Sequence, residues 1–125
     1  MVGLACNAIT REQYVGSADL RRLNAIAEFR FQEFTEMSDW DASPRASVTA
    51  HRELIAFAET LDALILCHGA PRVDDSLLKA CPRLRFIGEL EGDRFAQRVD
   101  VDAAASRGVR VVDTTQSSSY PVAEW

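Results

Sequence analysis

The chain has 125 residues, 47% hydrophobic and 26% charged, which is typical of one globular domain and unlike a disordered or fibrous chain. A net charge of -5 with scattered Lys and Arg argues against nucleic-acid binding. The sequence shows no signal-like segment and no apolar run of ~18 residues, and its 3 cysteines suit reduced thiols, so we expect a cytoplasmic protein without a membrane partner.

The N-terminal residues predict a strand followed by helices. Residues 2–6 form a short apolar run. Thr10 and Gln13 have the spacing of a capping box, which predicts a helix beginning at Thr10. Gly16 interrupts this pattern. Apolar residues at helical spacing then predict a face that packs on a sheet: Leu20, Leu23, Ile26 and Ala27.

A second strand and a long helix are predicted next. Residues 30–34 alternate as a strand. Ser43 and Pro44 mark a helix start, because proline loses no hydrogen bond at the first helical position, and the pattern continues to about Thr60. His51 falls on the apolar stripe of this helix, which favours a partly buried structural role.

The middle of the chain predicts a central strand, a short helix and a fourth strand. Residues 63–67 form a continuous apolar run, typical of a strand covered on both faces. Asp74 or Asp75 caps a helix that ends before Pro82, and residues 84–88 form the next strand. The inward side chains of this helix are Leu77, Leu78 and Cys81.

The last elements are an alanine-rich helix, a fifth strand and the start of another helix. Asp100 or Asp102 caps residues 103–107, and Gly108 suits a left-handed C-terminal residue before the strand at 109–113. Residues 119–125 then predict the first turn of a further helix, so the chain is expected to be one domain, 1–125, cut before a second domain.

This alternation predicts an α/β fold: a flavodoxin-like, doubly wound, parallel five-stranded sheet in the order 2-1-3-4-5, with helices on both faces. Ligands of such sheets bind at the carboxyl ends of the strands. That edge carries Asn7, the pair His68 and Gly69, the loop from Gly88 to Arg94 and residues 114–119.

The motifs of several chemistries are missing from the sequence. The 6 glycines contain no G-x-G pair, so no nucleotide site is predicted. No CxxC or HxxxH pair predicts a metal site, and residues 117–119 lie outside any nucleophile elbow, so no catalytic residue is assigned. His68 suits either a substrate hydrogen bond or a structural one, and the loop from Gly88 to Gly92 suits either an anion or an ordinary turn.

The second half of the chain resembles the D-isomer-specific 2-hydroxyacid dehydrogenases. The matching segments are "CPRLRFIG", "VDVDAAASRGVRVVDTT" and the closing "PVAEW". The resemblance implies the smaller, substrate-side domain of an oxidoreductase. It also implies that the NAD(P)-binding domain and the catalytic arginine, glutamate and histidine lie beyond this chain, which therefore binds no cofactor itself.

In this family a glycine-rich loop after the fourth strand holds the substrate carboxylate with backbone amides. Here the corresponding stretch runs from Gly88 to Arg98, and Phe95 and Gln97 stand where glycine and aspartate are usual. The resemblance and the predicted edge together give one set of substrate-binding candidates: His68, Gly69, Gly92, Asp93, Arg94, Phe95 and Ser118.

Two functions follow from these expectations. The first is the substrate-binding domain of an NAD-dependent D-2-hydroxyacid dehydrogenase-like enzyme, inactive alone, whose partners are a small 2-hydroxy or 2-oxo acid and the missing NAD-binding domain. The second is a stand-alone flavodoxin-like binding or interaction domain without catalysis. Apolar residues at 120–125 further predict a homodimer through the C-terminal end.

Overall fold

A five-stranded parallel sheet in the order β2-β1-β3-β4-β5 forms the centre of the computed structural model, which describes residues 1–36, 47–91 and 98–114. The strands are β1 Val2–Cys6, β2 Phe29–Glu33, β3 Ala63–Leu66, β4 Phe86–Glu89 and β5 Arg110–Asp113. The helices are α1 Ala8–Tyr14, α2 Ser17–Asn24, α3 Val48–Ala58, α4 Asp75–Ala80 and α5 Val101–Ser106. The predicted fold class and strand order are confirmed.

The core lies on the two faces of this sheet. On the first face, inward residues of the strands pack against α3, α4 and α5 in a cluster that includes Leu54, Leu64, Leu66, Leu77 and Ile87. The second face carries a smaller cluster of Leu4, Cys6 and Cys67, with Val15, Phe29, Phe31 and Ile65 packed against it. Successive residues of a strand therefore belong to opposite clusters, because their side chains point to opposite faces of the sheet.

The predicted strands are present, with shifted ends. The fourth strand was expected at residues 84–88, but it begins at Phe86, opposite Ala63 of β3. The Leu84 amide instead donates to Cys81 in a turn, and the Arg85 amide donates to Asp62, 2.8 Å away. Strand ends are thus set by the neighbouring strand, which local periodicity does not show.

Two predicted helix starts are wrong. Asn7, not Thr10, is the N-cap of α1, and its side-chain oxygen accepts the Thr10 amide at 2.7 Å. Thr10 lies inside the helix and is buried. The long helix begins at Val48, with Ser47 in an extended conformation as its N-cap, so it does not run unbroken from Pro44. Residues 43 and 44 themselves lie outside the described ranges.

The predicted packing of α2 is confirmed only in part: Leu20 and Leu23 are the half-buried residues of this helix. This helix buries none of its residues, and Ile26 follows its end with 84% of its surface exposed. The apolar spacing continued past Asn24, but the chain turns there to enter β2 at the edge of the sheet. Apolar spacing predicts which residues lie on one face of a helix, whereas the burial of that face depends on the elements that pack against it.

The caps of the shorter helices agree with the sequence. Asp74 is the N-cap of α4 and accepts the Leu77 amide at 2.9 Å. Asp100, one of the two predicted caps, accepts the Ala103 amide at 3.0 Å before α5. Gly108 has φ of 70° after that helix, the left-handed conformation expected of it.

Candidate functional site

A cavity of about 290 Å³ lies at the carboxyl ends of the strands. Its floor belongs to the second face of the sheet, and its rim comes from the segments that follow β3, β4 and β5. Its lining residues are Leu4, Cys6, Thr10, Tyr14, Val15, Cys67, His68, Leu90, Glu91 and Thr114. The walls are mostly apolar, with a few polar side chains among them, as in small-molecule sites.

The turn at His68 and Gly69 forms part of this rim. The His68 carbonyl accepts the Asn7 amide at 2.7 Å, which ties the end of β3 to the end of β1. Gly69 has φ of 94°, and a Cβ atom there would lie 2.2 Å from the carbonyl oxygen of Phe34. Glycine is therefore required for close packing, and a role of Gly69 in substrate binding stays a prediction.

Three buried charged side chains lie behind the rim: Glu89, Glu91 and Arg98, which we call the acid–arginine cluster. Their side chains are 0%, 2% and 3% exposed, respectively. The Arg98 Nε atom lies 3.6 Å from Glu89 Oε1, and the Arg98 guanidinium also donates directly to Glu91. Another Arg98 nitrogen donates to the Ala70 carbonyl at 2.5 Å, so the arginine fastens the cluster to the segment after β3.

The protonation of Glu89 depends on its burial and on the nearby charge of Glu91. Glu89 Oε2 accepts the backbone amide of Glu91 at 2.9 Å, which brings the two residues together. Burial and the nearby charge of Glu91 raise the pKa of Glu89 to about 8, although the amide bond and Arg98 oppose the shift. The fold therefore favours the protonated form of Glu89.

His68 connects this cluster to the cavity. Its Nδ1 atom lies 2.5 Å from Glu91 Oε1, and its side chain is 48% exposed, whereas that of Glu91 is 2% exposed. The two atoms are close enough for an ion pair when the imidazole is protonated, although Glu91 Oε1 accepts no hydrogen bond from the described residues. The rest of the ring is left at the cavity wall.

The cysteines that line the floor are unreactive thiols. Burial raises the pKa of Cys6 to about 11 and that of Cys67 to about 12. Neutral thiols are poor nucleophiles and poor metal ligands, so both residues act as small apolar side chains here. Among the residues that the structure describes, no group of three or more His, Cys, Asp or Glu could hold a metal ion.

A second group of polar side chains, at the start of α4, has a structural role. His51 Nε2 lies 3.1 Å from Asp74 Oδ1, and the Ser76 hydroxyl donates to the same oxygen at 2.7 Å. Burial raises the pKa of Asp74, but hydrogen bonds from Leu77, Ser76 and His51 outweigh it and lower that pKa. Ser76 is bonded to the carboxylate rather than activated by the imidazole, so this is a capping arrangement and not a catalytic triad.

The structure brings one predicted ligand-contacting side chain, His68, to the cavity wall. The other candidates Gly92, Asp93, Arg94, Phe95 and Ser118 lie outside the described residues. The sequence did not identify Glu89, Glu91 and Arg98 as one cluster. The available signal was two glutamates directly after an apolar strand, with an arginine before the next buried valine.

The fold and the cavity define a five-stranded parallel α/β domain with a cavity at the carboxyl ends of its strands, the edge at which such sheets bind ligands. Residues 19–125 match the family described as D-isomer specific 2-hydroxyacid dehydrogenase, catalytic domain. The chain belongs to this family. No protein in the curated set of sequences matches it.

Solved structures with a similar fold include an acyclic imino acid reductase in complex with NADPH and D-Arg (TM-score 0.66, 16% identity, 99% of this chain and 34% of that one). An NAD-dependent formate dehydrogenase from Staphylococcus aureus in complex with NAD gives a TM-score of 0.60 at 18% identity over 98% of this chain and 33% of that one. The D-lactate dehydrogenase from Escherichia coli gives a TM-score of 0.58 at 16% identity over 91% of this chain and 31% of that one. The chain thus spans about a third of the length of each of these proteins.

Proposed function

We propose that this chain is the substrate-binding domain of an NAD(P)-dependent oxidoreductase that acts on a small 2-hydroxy or 2-oxo acid. The observation that carries the proposal is the cavity of about 290 Å³ at the carboxyl ends of the strands, with the half-exposed imidazole of His68 on its wall. Membership of the 2-hydroxyacid dehydrogenase family supports the substrate class.

The described residues do not fit NAD(P). The first strand–helix junction reads Cys6, Asn7, Ala8, without the glycines that let a backbone approach a pyrophosphate. The Asn7 side chain already caps the Thr10 amide at this helix start, and the cavity is at the small end of the ~300–1,000 Å³ range of ligand pockets. We therefore place NAD(P) binding, and with it the catalytic groups, in the remainder of the parent protein.

The contribution of this chain is to bind and orient the acid. The apolar floor accepts the carbon skeleton, and the polar side chains of His68 and Thr114 on the wall meet its oxygen atoms. Holding a substrate in a reactive geometry contributes greatly to rate, although it produces no turnover alone. The predicted loop residues Gly92 and Arg94 extend this proposal as further candidates.

The surroundings of the parent protein follow from the same residues. Cys6, Cys67 and Cys81 are buried free thiols, which supports a reducing, cytoplasmic location. No helix in the described part of the chain is long and apolar enough to cross a membrane. A homodimer through residues 120–125 remains part of the proposal, and light scattering at increasing concentration tests it.

The substrate-binding role is tested by NMR titration with 2-oxobutanoate and, as a matched uncharged compound, 2-butanone. We expect 2-oxobutanoate to shift the backbone amides of Thr10, His68, Glu91 and Thr114, which line the cavity. NADH should shift none of them. Saturable micromolar binding of NADH to this chain, or 2-oxobutanoate shifts confined to the opposite end of the sheet, would contradict the proposal.

A further inference from the structure

Large apolar side chains that face solvent flank the mouth of the cavity. In the part of the chain that the structure describes, the exposed large apolar residues are Ile9, Tyr14, Ile26, Val48 and Leu90. Two of them, Tyr14 and Leu90, line the cavity, with 74% and 40% of their surface exposed. Tyr14 ends α1 and Leu90 directly follows β4, so two separate elements bring apolar surface to one opening. Exposed apolar groups that meet in this way mark a binding surface.

The floor of the cavity continues this apolar surface. Leu4, Cys6 and Cys67 are at most 6% exposed and belong to one apolar cluster. Val15, the neighbour of Tyr14 in the chain, packs against that cluster and also lines the cavity. The two thiols are neutral, since burial raises the pKa of Cys6 to about 11 and that of Cys67 to about 12. A group that enters the cavity therefore leaves water for an uncharged, apolar surface.

The lining does not suit a charged group on the side chain of a ligand. No lysine or arginine lines the cavity among the residues that the structure describes. The acidic residue of the lining is Glu91, whose side chain is 2% exposed and contacts Arg98. An anionic side chain would find no lysine or arginine there, and a cationic one would find the carboxylate already paired. Either charge would lose hydration on entry, whereas an apolar side chain would not.

We propose that the cavity receives the branched, apolar side chain of a 2-hydroxy or 2-oxo acid, and that Tyr14 and Leu90 select this side chain at the mouth. The inference rests on the proposed function, because it names the class of acid that the same site accepts. An apolar cavity of about 150 Å³ is enough for benzene, so the volume of about 290 Å³ admits an isobutyl group. The oxygen atoms of the acid stay with the polar side chains of His68 and Thr114.

The first test compares two acids of matched shape, (R)-2-hydroxy-4-methylpentanoate and (R)-2-hydroxybutanedioate. A carboxylate in the second, the dicarboxylate, replaces the isopropyl group of the first, the isobutyl acid. NMR titration of the 125-residue chain, followed at the backbone amides of Thr10, His68, Glu91 and Thr114, gives both affinities. We expect the isobutyl acid to bind at least about tenfold more tightly, because each buried methylene group raises affinity about fourfold.

Two variants at the mouth test which residues select the side chain. Leu90→Arg should weaken binding of the isobutyl acid and strengthen that of the dicarboxylate, so the preference should fall about tenfold. Tyr14→Ser should weaken binding of the isobutyl acid about fourfold and leave that of the dicarboxylate unchanged. Ile9→Arg is the matched control, because Ile9 is 66% exposed on α1 but does not line the cavity. It should change the preference by less than about twofold.

The comparison of the two acids on the unaltered chain does not depend on any variant folding. Equal affinities, or tighter binding of the dicarboxylate, would overturn the inference. A preference that is the same in Leu90→Arg, Tyr14→Ser and the unaltered chain would overturn it as well. If either acid shifts the cavity amides in those cases, the proposed function stands. If neither acid shifts them, both the inference and the proposed function are wrong.

Discussion

Arg98→Met should be one of the most destabilising single substitutions in the described part of the chain. It removes the guanidinium that faces Glu89 and Glu91 and the hydrogen bond to Ala70, and it leaves two carboxylates buried together. Removing one partner of a buried ion pair costs about 3–5 kcal/mol. Because the side chains are at most 3% exposed, solvent screening does not reduce this value much.

The cost should depend on the remaining charge rather than on lost packing. Arg98→Met with Glu91→Gln removes both members of the closest pair, so the double variant should be much less destabilised than the sum of the two single variants. The coupling free energy should approach about 3 kcal/mol, the upper end for directly interacting residues. Urea unfolding followed by circular dichroism, at constant pH, measures all four members of this cycle.

A matched surface pair provides the control. Arg83 lies 3.3 Å from Asp62, with side chains 62% and 49% exposed. The same cycle made with Arg83→Met and Asp62→Asn should give a coupling of about 0–1 kcal/mol. A coupling between Arg98 and Glu91 no larger than this would refute the account of the two residues as a buried ion pair.

Two further predictions concern the protonation and the backbone of the same region. The pKa of Glu89 in the fold, about 8, exceeds its ordinary value of 4.5, so its contribution to stability is complete below the ordinary value and is lost as the pH rises through about 8. For one proton, the unfolding free energy falls by at most about 1.4 kcal/mol per pH unit, and urea unfolding should show a smaller fall in Glu89→Gln. If the unfolding free energies of the two proteins change in parallel with pH, the raised pKa of Glu89 is contradicted. Gly69→Ala should lower the unfolding free energy by more than ~1–3 kcal/mol, because the added Cβ would lie 2.2 Å from a carbonyl oxygen. Gly108→Ala should lower it by about 1 kcal/mol, because Gly108 has φ of 70° but open space around the added Cβ. Equal costs for the two variants would show that the clash at Gly69 is relieved.

The fold could be predicted because its main signals are local. The continuous apolar run of β3 indicated a central strand, and Asp74 and Gly108 marked helix ends that the structure confirms. Strand order followed from right-handed crossovers between parallel strands. The start of β4 was misplaced because its non-local partner β3 sets it. The cap of α1 was a local error, because Asn7, three residues before Thr10, is the residue that accepts the helix amide.

The candidate site was less predictable for a related reason. Near Gly88, the sequence shows two glutamates that would repel an anion, and nothing local indicates that Arg98 returns to neutralise them. Burial of Glu89 follows from its position at the end of β4, opposite Leu66 of the central strand. From sequence alone, a charged residue whose partner is far along the chain is interpreted as solvent-exposed, because nothing nearby identifies the partner.

The strand order explains why the candidate groups meet at all. Because β3 lies between β1 and β4, the residues that follow these three strands converge at one edge: Asn7 contacts His68, and His68 contacts Glu91. Arg98 then joins Glu91 to Ala70, so the two ends of the segment between 91 and 98 are held at the cavity wall. A buried ionic cluster is rarely the most stable choice for a core. Its position here, between the sheet and the half-exposed ring of His68, connects the end of β4 to the segment that follows β3.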